Sequence, residues 1–199
     1  MTTSSDEEKE SEANHDNLNI NSMPSDVGNA IFFQIAWFIC VASPEIIAII
    51  AVSMLLIIHS RFMIRDNREW LLIMGFTTSG MMIDSVLQTL GVIQFSGAIA
   101  ITENVSILPI WMMCLWLAFS TTLIHGLFWL HGRFKFAMLI GGFAVPVSYY
   151  GGLIMSRSSS IEPVWIMLIT VGAIWALLLP GVLFITQKYG LTRLRKIPS

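Results

Sequence analysis

The residue with the strongest chemical signal in this sequence is Asp84, which lies in the apolar stretch FTTSGMMIDSVLQTLGV. If this stretch is a membrane helix, a carboxyl group near its centre costs about 2.5–3.5 kcal/mol, so such groups usually face a bundle interior or a wet cavity. Gly80 and Gln88 share its helix face, and the Gln88 amide can hydrogen-bond the carboxyl group. Two interpretations stay open: a structural hydrogen bond between helices, or a role in transport, substrate binding or catalysis.

His125 is the second candidate, with Thr121 one turn before it on the same face of a predicted helix. Counting about 1.5 Å per residue from the predicted helix ends separates Asp84 and His125 by about 13 Å in depth. We therefore predict two polar layers rather than an acid–base pair. The inner layer holds Gln34, Thr77, Thr78 and His125, and the outer one holds Asp84, Ser148, Tyr149 and Tyr150, with Trp116 near it.

The spacing of the histidines argues against metal or cofactor chemistry. His59, His125 and His131 fall toward one side of the predicted bundle, but no His-x2-His or His-x3-His pair occurs. A haem held by His59 and His125 is a minor alternative. Phosphate-binding loops, a nucleophile elbow and CxxC are absent, and nothing indicates nucleic-acid binding. We expect no metal and no cofactor, and we assign no catalytic residue.

The elements that position these side chains follow from composition. Only 12% of the 199 residues are charged, about half the share in a soluble domain. Seven of the 13 acidic residues lie in the first 26 positions beside a single lysine. This polar segment cannot bury enough apolar surface to order itself, which predicts a disordered acidic tail over residues 1–26.

The rest of the chain reads as apolar helices, which predicts an all-α transmembrane bundle. The first two apolar runs would span about 50 Å as one helix, too long for a 30 Å hydrocarbon core. Ser43, Pro44 and Glu45 form a helix-start pattern between them. Six spans result within a domain over residues 27–187, followed by a short basic tail over 188–199. The predicted spans are 28–43, 45–60, 69–93, 106–130, 134–155 and 162–187.

The orientation follows from lysine and arginine, which stay on the cytoplasmic side of a membrane. With both termini inside, ten of the eleven basic residues fall on the inner side and only Arg157 falls outside. Merging the first two spans would relocate only Lys9, so this bias does not separate six spans from five. The expected location is a bacterial inner membrane.

Four stretches carry a resemblance to a known family: NAIFFQIAWFICV, REWLLIMGFTTSGMMIDSVLQTLGVIQF, LPIWMMCLWLAFSTTLIHGLFWL and GGFAVPVSYYGG. Over residues 28–155 they resemble small bacterial inner-membrane proteins grouped as a domain of unknown function. Family members occur near genes for fatty-acid-modifying enzymes, so the resemblance implies lipid-related work and no defined activity.

Three functional classes remain, and the first is favoured. A non-enzymatic partner or assembly subunit of a lipid- or envelope-related system fits a small chain with little soluble mass. A small permease or channel using Asp84 is the second, and a lipid-modifying enzyme using Asp84 or His125 is the third. Expected partners are the lipid bilayer and either another membrane protein or a second copy of the chain. The candidate intramembrane residues are Asp84, His125, Gln34, Gln88, Thr121, Ser148 and Tyr149.

Overall fold

The computed structural model describes residues 27–64, 66–102, 105–160 and 163–189. The predicted acidic tail and all but the first two residues of the predicted basic tail lie outside this part of the chain. The described residues form six main helices and one short β-hairpin. The helices are α1 (Val27–Ala42), α2 (Glu45–Phe62), α3 (Arg68–Thr89), α4 (Ile110–Ser120), α5 (Phe134–Met155) and α6 (Val164–Lys188).

Four of these helices, α2, α3, α5 and α6, are long and apolar enough to cross a membrane, whereas α1 and α4 are shorter. Large aliphatic and aromatic side chains are exposed along five of them, all except α4. A soluble monomer rarely leaves so much apolar surface uncovered, whereas hydrocarbon solvates such a surface without penalty. The described part of the chain is therefore built as a membrane-type helical bundle.

The predicted break between the first two helices is confirmed. α1 ends at Ala42 and α2 begins at Glu45, with Pro44 at the N-cap. Proline lacks an N–H group and disfavours helical geometry in the residue before it, so the chain turns at Ser43. The capping part of the prediction is wrong, because no side chain caps the first turn of α2.

The start of α3 is fixed by Asp66. Its carboxylate accepts hydrogen bonds from the Arg68 backbone N–H and from Arg68 Nε, both at 2.9 Å. These hydrogen bonds from Arg68 lower the pKa of the exposed Asp66 carboxyl group. Asp66 thus stays ionised at the N-terminus of α3, where the helix dipole favours negative charge.

The predicted helix over 106–130 is wrong in its second half. α4 ends at Ser120, and the chain continues through turns to the 3-10 helix Phe128–Leu130. The hydroxyl groups of Ser120, Thr121 and Thr122 donate to the carbonyls of Trp116, Ala118 and Phe119. Such side-chain hydrogen bonds compete with the backbone hydrogen bonds of the helix, which explains why α4 ends here.

The prediction also missed a β-hairpin before α4. Strand β1 (Ile99–Thr102) pairs antiparallel with β2 (Val105–Ile107), and α3 ends at Thr89 rather than at residue 93. The β-branched residues in this segment favour an extended backbone, and Gly91 takes a positive φ of 77° just after α3. The fold is mostly helical rather than all-α.

Helix α5 contains a π-helical turn, Ile140–Ala144, directly before Pro146. Because Pro146 has no N–H, the regular ladder is interrupted there and the backbone widens. The widened turn packs closely on α6: a Cβ atom added at Gly141 would overlap the backbone carbonyl of Trp175. Glycine at 141 therefore sets the distance between α5 and α6.

Helix α3 and the segment 116–125 run antiparallel to each other. Trp116 bonds Asp84, Ser120 bonds Thr77 at 2.8 Å, and His125 contacts Glu69. As the chain runs from α4 into the turns, the residues that it contacts therefore lie progressively closer to the start of α3. The segment crosses the bundle even though only its first half is α-helical.

We predict that Gly141→Ala destabilises the fold by about 1–3 kcal/mol, since the new methyl group meets backbone that cannot rotate away. Gly142→Ala is the control, because its Cβ atom would make an ordinary 3.7 Å contact with the Ala176 side chain. Unfolding in mixed detergent–SDS micelles measures both. Equal stability of the two variants contradicts this account.

Candidate functional site

Asp84 is fully buried and is held by two aromatic donors. Trp116 Nε1 donates to its Oδ2 at 2.7 Å, and the Tyr149 hydroxyl donates to Oδ1 at 3.0 Å and Oδ2 at 3.1 Å. The donors come from α4 and α5, so this carboxyl group joins three helices. Among the described residues, no lysine or arginine pairs with it.

A stack of aromatic rings holds Trp116 in place. Its indole lies nearly parallel to that of Trp175, with ring centroids 5.4 Å apart and an interplanar angle of 9°. Phe76 and Phe119 pack edge-on against Trp116. Because a Cβ atom at Gly80 would overlap the Trp116 ring, glycine is the residue that lets the indole cross α3 and reach Asp84 one turn later.

A cavity of about 370 Å³ lies beside this carboxyl group, between α1, α4, α5 and α6. Its volume is near the lower end of the range of about 300–1,000 Å³ for small-molecule sites. Most of its wall is aliphatic or aromatic, and Trp116 and Tyr149 form part of it. The wall residues Gln34, Ala144 and Ser148 are also exposed on the outside of the bundle. The cavity therefore opens sideways between α1 and α5.

Some side chains of the two predicted polar layers lie in other groups than expected. Trp116 and Tyr149 do meet Asp84, and Ser148 lies on the cavity wall beside them. Gln34 was expected in the inner layer but lines this same cavity. Tyr150 was expected near Asp84 but is 41% exposed.

The predicted hydrogen bond between Gln88 and Asp84 is wrong. Gln88 Nε2 donates instead to the hydroxyl and the carbonyl of Ser106, at 2.6 and 3.2 Å. Gln88 thus ties the end of α3 to strand β2. No sequence pattern indicated this contact, since the hairpin itself was not predicted.

The remaining threonines of the prediction are structural. Residues 121–126 are not helical, so Thr121 and His125 do not share a helix face, and the Thr121 hydroxyl donates to the Ala118 carbonyl. Thr78 is exposed and donates to the Met74 carbonyl, while Thr77 bonds Ser120. None of the three hydrogen-bonds His125.

A second polar cluster, missed by the sequence analysis, surrounds His125. His125 Nε2 lies 3.2 Å from Glu69 Oε2, and the His59 ring packs edge-on against the His125 ring at 5.3 Å. One ligand atom from each of the three residues lies within 4.8 Å of the others. All three side chains are buried, at 2%, 5% and 2% exposure for His59, Glu69 and His125.

The prediction of no metal rested on the spacing of histidines in the sequence and stays a prediction. The three residues of this cluster are far apart in the sequence, because they come from α2, α3 and the turn after α4. Depth along the predicted helices did not indicate this contact, because Glu69 begins the predicted span 69–93 whereas His125 lies about 8 Å in from the end of the span 106–130. His131 stays apart, bonded to the Thr186 hydroxyl at 2.8 Å.

The two sites can do different chemistry. Tyr149, whose hydroxyl donates to the buried Asp84 carboxyl group, is a polar residue on an otherwise mostly apolar cavity wall, which suits an amphipathic ligand. The second cluster offers two imidazoles and a carboxylate, which are common ligands of transition metals. The sites lie 15 residues apart on α3, or about 22 Å along its axis.

These features define a polytopic helical protein with an internal cavity, and comparison with known sequences gives it a family. The chain belongs to the family described as "Protein of unknown function (DUF2878)", which matches residues 26–181. The predicted resemblance to a domain of unknown function is thereby confirmed. Neither the curated proteins nor the solved structures include a match to this chain.

We predict that Tyr149→Phe lowers the free energy of unfolding by about 1–3 kcal/mol, because a buried carboxyl group loses one of its two donors. Tyr150→Phe removes the same atom from the next, exposed position and should change stability by less than about 0.5 kcal/mol. Equilibrium unfolding in mixed micelles compares them. Matched losses in the two variants would show that the Asp84 contact contributes nothing of its own.

Proposed function

We propose that this protein binds an acyl chain of a membrane lipid in the cavity beside Asp84. The observation that carries the proposal is the form of that cavity, which has an apolar, largely aromatic wall and a side opening between α1 and α5. A lipid tail can enter such an opening directly from the bilayer. The bundle surface around the opening is apolar, so a tail stays in hydrocarbon as it moves from the bilayer into the cavity.

Polar groups at two points would orient the lipid. Gln34 and Ser148 lie at the opening, where they can hydrogen-bond a glycerol or ester oxygen. Tyr149 lies deeper, with its hydroxyl donating to Asp84 and its oxygen lone pairs still able to accept. This arrangement gives an elongated amphipathic ligand one preferred direction.

The proposal includes six membrane crossings in a bacterial inner membrane, with both termini in the cytoplasm. The short α1 and the irregular segment after α4 supply the two crossings beyond the four long helices. The antiparallel contacts between α3 and residues 116–125 support the fourth crossing. The excess of lysine and arginine on one side supports the orientation.

Within that topology, we propose a binding or assembly subunit of a lipid-related system. A permease that uses Asp84 is less well supported, because the carboxyl group is fully buried and bonded to two aromatic donors rather than open to a water path. An enzyme that uses Asp84 alone is less well supported for the same reason. The partner within such a system is either another membrane protein or a second copy of this chain.

Cysteine labelling tests the topology. In Cys40→Ala, Cys114→Ala protein, a cysteine replacing Thr102 of the hairpin should react with a membrane-impermeant maleimide added to intact cells. A cysteine replacing Asn67, between α2 and α3, should react only after the membrane is opened. Both positions are exposed at the protein surface. Labelling of position 67 in intact cells contradicts the orientation.

Photocrosslinking tests the lipid site. A phospholipid with a diazirine in one acyl chain, added to the purified protein in nanodiscs, should label cavity residues of α1, α4 and α5. Ser148→Trp puts an indole in the opening and should reduce this labelling at least fivefold by exclusion of the tail.

Val147→Trp is the matched control, since Val147 is 66% exposed and faces away from the cavity on the same helix. It should label the cavity like the wild type, while both variants keep the same elution profile. Cavity labelling that is unchanged in Ser148→Trp, or absent in the wild type, overturns the proposal.

A further inference from the structure

We propose that His59, Glu69 and His125 form a binding site for a divalent transition-metal ion such as Zn²⁺. This site goes beyond the lipid cavity and does not depend on it. Two imidazoles and one carboxylate are a ligand set found in catalytic zinc sites and in non-haem iron sites.

The distances suit a shared ion. Zinc binds nitrogen and oxygen ligands at about 2.0–2.2 Å, so two ligands of one tetrahedral ion lie about 3.3 Å apart. His125 Nε2 and Glu69 Oε2 are 3.2 Å apart. The third ligand atom lies within 4.8 Å of both, so a shift of about 1.5 Å or less brings it to the spacing of a shared ion.

Unsatisfied polar atoms form the second observation. Nδ1 of His59 and Nδ1 of His125 are buried, and neither has a hydrogen-bond partner among the described residues. Such an atom left unbonded costs about 1–3 kcal/mol, and buried groups without partners are uncommon in folded proteins. An ion bound by Nδ1 of His59 would supply the partner that this atom lacks, while His125 would bind the same ion through Nε2.

The backbone around His125 is the third observation. Residues 121–126 leave the α-helix, and every one of them is buried. At membrane depth, irregular backbone is tolerated only where protein or a polar cavity surrounds it. Asn29 secures this turn, because its Oδ1 accepts the Gly126 N–H at 3.2 Å. The α-helix thus ends before His125, and the Asn29 hydrogen bond holds the turn that carries His125.

Three protein ligands leave a fourth position for water or another small ligand, as in catalytic rather than structural zinc sites. Glu69 can bind an ion and keep its contact with a neighbour, because a carboxylate has two oxygens and about four lone-pair sites. Imidazole and carboxylate groups suit a cation, which binds both in their deprotonated forms.

Metal analysis of the full-length chain tests the site. The protein, carrying a tag without histidine, is stripped with a chelator in mild detergent, incubated with Zn²⁺, separated from free ion and measured by mass spectrometry of the metal. We expect one Zn²⁺ per chain. His59→Ala, His125→Ala and Glu69→Gln should each reduce bound zinc at least tenfold under competition with a weak chelator.

His131→Ala is the control, because His131 lies one turn beyond the cluster and bonds Thr186. It should retain one zinc, as should His15→Ala in the N-terminal tail. A ligand exchange distinguishes the loss of a metal ligand from misfolding. The variant His59→Cys, loaded with Co²⁺, should show a thiolate-to-cobalt absorption band. Parallel loading with Fe²⁺ under argon identifies the preferred ion.

Three results would overturn the site: no bound metal in the wild type, equal loss in His131→Ala, or retention in all three ligand variants. Any of them leaves Glu69 and His125 as a hydrogen-bonded pair only. Ser148→Trp should bind zinc like the wild type, so failure of the metal site and failure of the lipid cavity are read separately.

Discussion

The structure depends on the burial of polar side chains in a bundle that hydrocarbon surrounds. In lipid, apolar helices gain little by leaving the tails, so close packing and interhelical hydrogen bonds decide which helices associate. Here three polar contacts between α3 and residues 116–125 fix their register at three depths. Sliding either segment by one residue would leave a buried carboxyl group without its partner. The bundle around these contacts therefore has one register.

This constraint also explains the glycines. Trp116 reaches Asp84 only because Gly80 leaves its ring room, and α6 approaches α5 only because Gly141 has no side chain. The polar contacts determine which faces of the helices meet, and the glycines allow the helices to approach closely. Neither alone would place the aromatic stack beside the carboxyl group. The cavity lies beside the widened turn before Pro146, and Ile140 and Ala144 of that turn form part of its wall.

The sequence predicted what depends on composition and local pattern. The break at Pro44, the bounds of α5 and the meeting of Asp84 with Trp116 and Tyr149 follow from length, proline chemistry and depth along a helix. What it missed depends on tertiary structure. Three consecutive hydroxyl residues end α4 at Ser120, although their neighbours are as apolar as any helix. Glu69 looked like an ordinary first-turn acid until folding brought it to two histidines.

The cluster of His59, Glu69 and His125 has a consequence for how the protein matures. Its members are 66 residues apart from first to last, on α2, α3 and the turn after α4. While the ribosome is still making the chain after α3, the first two members face an unfinished bundle with no third side chain beside them. Under the proposed metal site, an ion can be captured only after translation has delivered His125 and its segment has packed against α2 and α3. Metal loading would then be a late step of biogenesis, and it would report that the chain as far as His125 has assembled correctly.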